Sequence, residues 1–211
     1  MSHFKNNKCA KFSSSPGWVH ELGCQRRREY LSRGGRLPRI HTPTKPVAHK
    51  SSSMRLITFF DDGDYCLTSF SPENTPFYGI LSHKWGAAGD EITYEEIMDG
   101  KRRSITESDQ GRLGFQKLQF CQHRAAEEGL RYFWIDTCCI NKQDQFELSY
   151  ALNSMFHWYN KAVRCYVYMS DVSYIIVGQP IPTMALENSQ WFTRGWTLQE
   201  LLAPASVVFY S

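Results

Sequence analysis

The stretch RYFWIDTCC, residues 131–139, decides the fold class of this 211-residue chain. Tyr132 to Ile135 are apolar throughout, which is the pattern of a central parallel strand covered on both faces. Gly129 ends an amphipathic helix just before this strand, and Asp136 follows immediately after it. Because similar helix and strand patterns alternate along most of the chain, the sequence predicts an α/β domain with crossover connections.

Upstream of this stretch, two strands of a hairpin, a third strand and a helix are predicted. Arg55 to Phe60 and Tyr65 to Phe70 flank an Asp- and Gly-rich turn, as in a β-hairpin. Tyr78 to Ser82 is a short apolar run that indicates a buried strand. The helix covers residues 112–129, and the positions that we expect to face solvent are Lys117, Arg124 and Glu128.

Downstream, Asp144 is predicted to cap a helix whose third residue is Glu147. One face of this helix carries five apolar residues at helical spacing: Leu148, Leu152, Met155, Phe156 and Tyr159. We expect Leu152, Met155 and Phe156 to pack against the strand that contains Trp134. The remaining predicted elements are a strand, a helix and a strand: Arg164 to Met169, Thr197 to Leu202 and Val207 to Tyr210.

Residues 1–53 differ in composition from residues 54–211. They carry eleven Lys and Arg residues against two Glu, and they show little periodic apolar content. We therefore predict a basic, disordered leader before a folded domain that begins at Met54. Nucleic acid is not an expected partner except through this leader.

The composition also bears on the cellular compartment. Seven cysteines include the adjacent pair Cys138 and Cys139, which is typical of a reduced, intracellular protein rather than a disulfide scaffold. No run of about 18 apolar residues is present, and no signal peptide is apparent. The expected location is the cytoplasm or, in view of the basic leader, the nucleus.

Polar residues cluster where the predicted parallel strands end, which is where ligands bind in open parallel sheets. Ser82, His83 and Trp85 follow one strand, and Asp136 follows another. Ordinary structural roles are the alternative: a loop histidine, a core indole and a turn-capping aspartate. Cys138 or Cys139 as a nucleophile is a further alternative. Because the cysteines lack metal-ligand spacing, we predict no metal site, and no glycine-rich phosphate loop is present.

Glu200 is the most informative residue of the predicted last helix. The predicted helix has six residues, and three of the others are Leu198, Leu201 and Leu202. The Glu200 carboxylate is therefore expected to be partly desolvated unless a donor such as Arg194 pairs with it. The nearby Trp191 and Trp196 offer aromatic rings. Glu200 is therefore either a functional carboxylate of a binding or catalytic site or the structural ion-pair partner of Arg194.

The segments YGILSHKWG, RYFWIDTCCINKQD, LNSMFHWYNKAVRCYVYMSDV and WFTRGWTLQELLAP resemble the successive blocks of the fungal heterokaryon incompatibility (HET) domain. The resemblance covers residues 54–211. It implies a role in non-self recognition between fungal strains and in the regulated cell death that follows hyphal fusion.

HET domains are in turn similar to TIR domains, which implies a mostly parallel, flavodoxin-like sheet with flanking helices that assembles by self-association. Some TIR domains cleave NAD with a Glu in a Trp-Cys-x-x-Glu motif. Trp196 and Glu200 keep that spacing, although Thr197 replaces the Cys.

Two hypotheses about function follow from these resemblances. The first is an NAD-cleaving enzyme with Glu200 as the catalytic residue and no bound cofactor. Its predicted substrate-binding residues are Ser82, His83, Trp85, Asp136, Trp191 and Trp196. The second is a non-enzymatic module that acts through contacts with itself or with another signalling domain. A filled interior with Glu200 paired to Arg194 would favour the module.

Overall fold

The computed structural model describes residues 18–19, 53–97, 103–104, 106–172 and 187–211. Within these ranges one sheet contains seven strands: β1 (Trp18–Val19), β2 (Met54–Phe59), β3 (Tyr65–Phe70), β4 (Gly79–His83), β5 (Tyr132–Trp134), β6 (Arg164–Tyr168) and β7 (Val207–Tyr210). The helices are α1 (Leu113–Glu127), α2 (Asp136–Cys139), α3 (Gln145–Lys161) and α4 (Thr197–Leu202). Two short 3₁₀ turns cover Glu107–Asp109 and Gln190–Thr193.

The strands lie in the order β1-β7-β6-β4-β5-β2-β3. The four neighbouring strands β7, β6, β4 and β5 are parallel to one another, whereas β1, β2 and β3 pair antiparallel with their neighbours. The predicted α/β class is confirmed, and the prediction of a mostly parallel sheet requires correction to a mixed sheet. The reason is that the predicted hairpin, β2 and β3, joins the sheet antiparallel to β5, and β1 joins it antiparallel to β7.

Helices cover both faces of the parallel part of the sheet. Cys165 and Tyr166 are successive residues of β6, so their side chains point to opposite faces. The Cys165 thiol approaches the Glu200 carbonyl oxygen in α4 at 3.8 Å, while the Tyr166 ring lies 6.4 Å from the ring of Phe120 in α1. Helices α3 and α4 contact each other. Therefore α1 lies on one face, and α4 together with α3 lies on the other.

The inward face of α3 differs from the predicted one. Met155 is buried as expected, but Leu152 and Phe156 are 41% and 40% exposed. Tyr159 lies inward as predicted, and Trp158, which was not predicted for this face, lies beside it; their rings are 6.0 and 5.7 Å from that of Trp134. The helix is turned so that its two large aromatic side chains fill the space above β5, which leaves the leucine and phenylalanine at the margin.

Helix α3 begins at the cap that the sequence predicts. The Asp144 carboxylate accepts hydrogen bonds from the backbone N–H groups of Phe146 (2.9 Å) and Glu147 (3.2 Å), so the predicted cap is confirmed. At 17 residues α3 is longer than the other helices of the described segments. None of the helices in those segments has both the length and the apolar character needed to cross a membrane.

The chain enters α1 through a close backbone contact. The N–H of Gly114 donates to the carbonyl oxygen of Asp90 at 2.8 Å, and a Cβ atom at Gly114 would lie 2.4 Å from the backbone nitrogen of Ile92. Just upstream, the buried Asp109 accepts hydrogen bonds from the Thr106 N–H and from the Arg103 guanidinium. Burial would raise the pKa of Asp109, but these donors outweigh it and hold that pKa at about 2.

The basic leader meets the sheet at one place that the structure describes. Trp18–Val19 form β1, which pairs antiparallel with β7 in the register Trp18 opposite Tyr210. The remainder of residues 1–52 lies outside the described residues. The predicted disorder of the leader therefore stays a prediction.

Candidate functional site

Glu200 lies in the interior, with 2% of its surface exposed. Its two carboxylate oxygens accept hydrogen bonds from the Arg194 guanidinium, at 2.9 Å to Oε1 and 3.0 Å to Oε2. The Ser82 hydroxyl donates a third hydrogen bond to Oε2. Fork-like pairing of this kind is among the strongest charge-assisted contacts in proteins, so the buried charge is compensated.

Trp191 and Thr197 fix the geometry around Glu200. The indole N–H of Trp191 donates to the Ser82 hydroxyl at 2.7 Å, and that hydroxyl in turn donates to Glu200. The Thr197 hydroxyl donates to the Trp191 carbonyl oxygen at 2.7 Å, which ties the 3₁₀ turn to the first residue of α4. A continuous chain of hydrogen bonds thus connects β4, the 3₁₀ turn and α4.

A second polar group lies beyond the ends of the neighbouring parallel strands β4 and β5. His83 Nε2 lies 3.2 Å from Asp136 Oδ1, and the Trp85 indole N–H donates to Asp136 Oδ2 at 2.8 Å. The Lys142 ammonium lies 3.8 Å from the centre of the Trp85 ring. Burial would raise the pKa of Asp136, but His83, Lys142 and the indole N–H outweigh it and hold that pKa at about 2. Asp136 is therefore a carboxylate at neutral pH.

A buried ion pair between Lys117 and Glu91 anchors the backbone on both sides of Trp85. Lys117 Nζ donates to the Lys84 carbonyl oxygen at 2.8 Å and to the Glu91 carboxylate, which also accepts the Gly86 N–H at 2.6 Å. The prediction that Lys117 faces solvent was wrong, since Lys117 is 1% exposed. Its ammonium is buried because these two partners replace water, although burial still lowers its pKa.

The structure thus divides the predicted site residues into three sets. Glu200, Ser82 and Trp191 form one network, and His83, Trp85 and Asp136 form the second. The two networks adjoin, because Ser82 and His83 are consecutive in β4. The third set is Trp196, which directly precedes α4; it is 46% exposed, so its indole lies largely at the surface.

Comparison with known protein families finds a match for the part of the chain that contains the second network. Residues 78–179 match the family model described as heterokaryon incompatibility protein (HET). Residues 78–179 belong to the heterokaryon incompatibility family. The matched range includes β4, β5 and β6 with His83, Trp85 and Asp136, and it ends before Glu200.

A curated relative extends the similarity of this chain beyond that range. Vegetative incompatibility protein HET-E-1 of the fungus Podospora anserina is 44% identical over 162 residues. The alignment covers 75% of this chain and 11% of the relative, so the chain spans about a tenth of that protein. No solved structure matches the chain significantly.

Cys138 and Cys139 occupy buried positions that make them poor nucleophiles. Burial raises the pKa of the Cys138 thiol to about 12, and its Sγ atom lies 3.2 Å from the Ile92 carbonyl oxygen. Burial also raises the pKa of Cys139 well above its usual value. Since the thiolate is the reactive form, the alternative of a catalytic cysteine loses its support. The described residues contain no group of three or more His, Cys, Asp or Glu side chains placed to hold a metal ion.

Sequence reasoning missed two residues of the site, Lys117 and Lys142, and named a third, Arg194, only conditionally. Arg194 was recognised only as a conceivable partner of Glu200, yet it supplies two of that residue's hydrogen bonds. Lys117 and Lys142 were not predicted to lie near the site. Lys117 does stand in line with Cys121 at a spacing of four residues, and both side chains are buried on α1. That alignment was the available signal.

Proposed function

We propose that this chain acts in fungal non-self recognition as a signalling domain whose contacts lead to regulated cell death. The HET family match and the incompatibility protein among its relatives support this role. Because the chain spans only about a tenth of that relative, the trigger and the partners are part of the proposal.

The engagement of Glu200 is the observation that favours an interaction module over an enzyme. Arg194 and Ser82 occupy both carboxylate oxygens, and the residue is buried. A substrate hydroxyl or a developing cation would have to displace Arg194 to reach it. By contrast, Trp196 and Leu198 on the same segment are 46% and 50% exposed and offer apolar surface for a second copy of the domain.

NAD cleavage on self-association is the second candidate, and two features of the fold favour it. Counted along the chain, the four parallel strands have the order 2-1-3-4, which agrees with the start of the flavodoxin-like order. Glu200 lies on a helix after the third of these strands, which is the position that the resemblance to TIR domains implies. Its contact with Ser82 places it near the switch point between β4 and β6, where such sheets bind ligands.

The chemistry of that second candidate would require a rearrangement of Arg194. Nicotinamide leaves from a cationic nitrogen, so a general acid of the glycosidase type is not needed. A freed Glu200 carboxylate could stabilise the cation that develops on the ribose. Self-association at Trp196 and Leu198 would act on the segment that joins Arg194 to Glu200, because all four lie within seven residues.

Paired measurements of killing and NAD turnover test the proposal. The chain is expressed in hyphae at matched levels as wild type, Trp196→Ser, Leu198→Ser and, as a control, Phe77→Ser. Phe77 is 80% exposed and precedes the amino end of β4, whereas Glu200 contacts Ser82 near the carboxyl end of that strand. Purified chain is incubated with NAD and a crowding agent, and nicotinamide release is measured.

For a signalling module, we expect the Trp196 and Leu198 variants to lose killing without a change in melting temperature, while the Phe77 variant kills normally. No nicotinamide should appear. Nicotinamide release that disappears together with killing in Glu200→Gln would instead establish the enzyme. Killing that survives in both surface variants would contradict a role for this surface.

A further inference from the structure

The network of His83, Trp85 and Asp136 has the features of a ligand site that is separate from Glu200. It lies past the carboxyl ends of two neighbouring parallel strands, β4 and β5. In doubly wound sheets this edge is where ligands bind, and a carboxylate there commonly takes the hydroxyl groups of a ribose. Position alone does not make a site, but three further observations point to a ligand.

The first observation concerns His83. Only 2% of its side chain is exposed to solvent. Neither ring nitrogen has a well-aligned hydrogen-bond partner among the described residues. A buried polar group without a partner is costly, and native proteins seldom leave one without a reason. His83 Nε2 nevertheless lies 3.2 Å from Asp136, so the imidazole is directed towards the carboxylate.

The second observation is the unused capacity of Asp136. A carboxylate has about four lone-pair sites. The Trp85 N–H takes one of them at Oδ2, and the Lys142 ammonium lies 4.0 Å from the same oxygen. His83 approaches Oδ1 without good alignment. The Asp136 side chain is 19% exposed, which leaves it within reach of a solute.

The third observation is the rigid mounting of Trp85. Its ring is 51% exposed, yet its backbone neighbours are bonded to the buried pair of Lys117 and Glu91 and its indole N–H to Asp136. A large aromatic surface that is held in place before binding loses little entropy when a ligand arrives. Burying an ion pair beneath an exposed loop is expensive and gains little for the core, which suggests that the loop geometry itself matters.

From these observations we infer that His83, Trp85 and Asp136 bind a sugar ring with a vicinal diol, either the ribose of a nucleotide or a free saccharide. Asp136 accepts hydrogen bonds from the hydroxyl groups, and His83 completes their coordination. Trp85 covers the apolar face of the ring. A diol fits because each hydroxyl group both donates and accepts a hydrogen bond, which matches a carboxylate beside an imidazole.

This inference assigns the diol to Asp136 and not to Glu200, whose oxygens are occupied by Arg194 and Ser82. It does not rest on the proposed signalling role, since binding and killing are measured separately. It also holds whether or not the domain cleaves the molecule that it binds.

The experiment measures binding to the purified full chain by calorimetry and ligand-observed NMR. The probes are ADP, 2′,3′-dideoxy-ADP and methyl β-D-ribofuranoside. The variants are Asp136→Asn and Trp85→Ala, with Asp61→Asn as a matched control on the exposed turn between β2 and β3. Asparagine retains an oxygen for the Trp85 N–H but replaces the other acceptor by a donor. Melting temperatures of all variants are recorded.

We expect removal of the two hydroxyl groups, or Asp136→Asn, to weaken binding by about tenfold or more. Trp85→Ala should weaken it to a similar extent, whereas Asp61→Asn should not. Binding of ADP but not of the riboside identifies a nucleotide ligand, and comparable binding of the riboside identifies a free sugar. Either result supports the site.

The site is overturned if neither ADP nor the riboside binds at millimolar concentration. It is also overturned if ADP and its dideoxy form bind equally well, because the phosphates or the base would then account for binding. This comparison of probes uses the wild-type chain, so it remains decisive even if a variant fails to fold.

Discussion

Replacing Glu200 by Gln tests whether its carboxylate is structural. The substitution preserves the shape of the side chain but removes the charge that faces Arg194, and it places an amide N–H₂ group among existing donors. Breaking a buried ion pair on one side usually costs about 3–5 kcal/mol. Because the Arg194 side chain is 21% exposed and can regain some water, we expect the lower end, about 3 kcal/mol.

Thermal unfolding of the purified chain measures this cost. For a folded region of 150–250 residues, about 3 kcal/mol corresponds to a fall in melting temperature of roughly 6–12 °C. Glu95→Gln makes the same chemical change at an exposed position and should leave the melting temperature nearly unchanged.

A double variant separates the ion pair from other effects of the substitution. In Glu200→Gln with Arg194→Met, the guanidinium that lost its partner is also gone, so part of the stability should return. A melting temperature for Glu200→Gln within about 1 °C of wild type would refute the reasoning, since that shift corresponds to well under 1 kcal/mol. A stable variant that no longer kills would then indicate a working carboxylate.

Three further predictions concern the fold. Met155→Ala should destabilise the chain by about 2–5 kcal/mol, whereas Leu152→Ala, at a 41% exposed position, should cost less than about 1 kcal/mol; denaturant unfolding checks both. Gly114→Ala should cost at least about 1–3 kcal/mol because its Cβ meets fixed backbone, while Gly195→Ala, with open space around it, should be tolerated; equal melting temperatures would contradict this. The low pKa of Asp109 stabilises the fold above pH 4 by about 2 kcal/mol, and this contribution should disappear as the pH falls from about 4 to 2. In Asp109→Asn that part of the acid-induced loss of stability should be missing.

The sequence determined the elements of the fold to within one or two residues over most of the described chain. The apolar run at Tyr132 to Ile135 became β5, and the predicted helix at Thr197 to Leu202 is α4. Such elements are predictable because the period of apolar residues and the local capping chemistry are properties of neighbouring residues. The same local logic located polar side chains at the strand ends.

Tertiary structure decided what those side chains face. The helical pattern of α3 placed Leu152, Phe156 and Tyr159 on one face. Only the contact with Trp134 decided that Tyr159 and Trp158 turn inward while Leu152 and Phe156 stay partly exposed. Likewise, the sequence placed the hairpin before the sheet, but pairing between β2 and β5 made the sheet mixed.

The chemistry of the site divides in the same way. From the sequence alone, Glu200 was an unusual carboxylate among leucines, and Lys117 resembled an ordinary surface residue of a helix. Whether a charge is buried, and what compensates it, depends on groups that are distant along the chain: Ser82 is 118 residues from Glu200, and Glu91 lies 26 residues from Lys117. Periodicity determines the direction of a side chain, whereas the free energy of a buried charge is set by partners that only the folded chain brings within hydrogen-bonding distance.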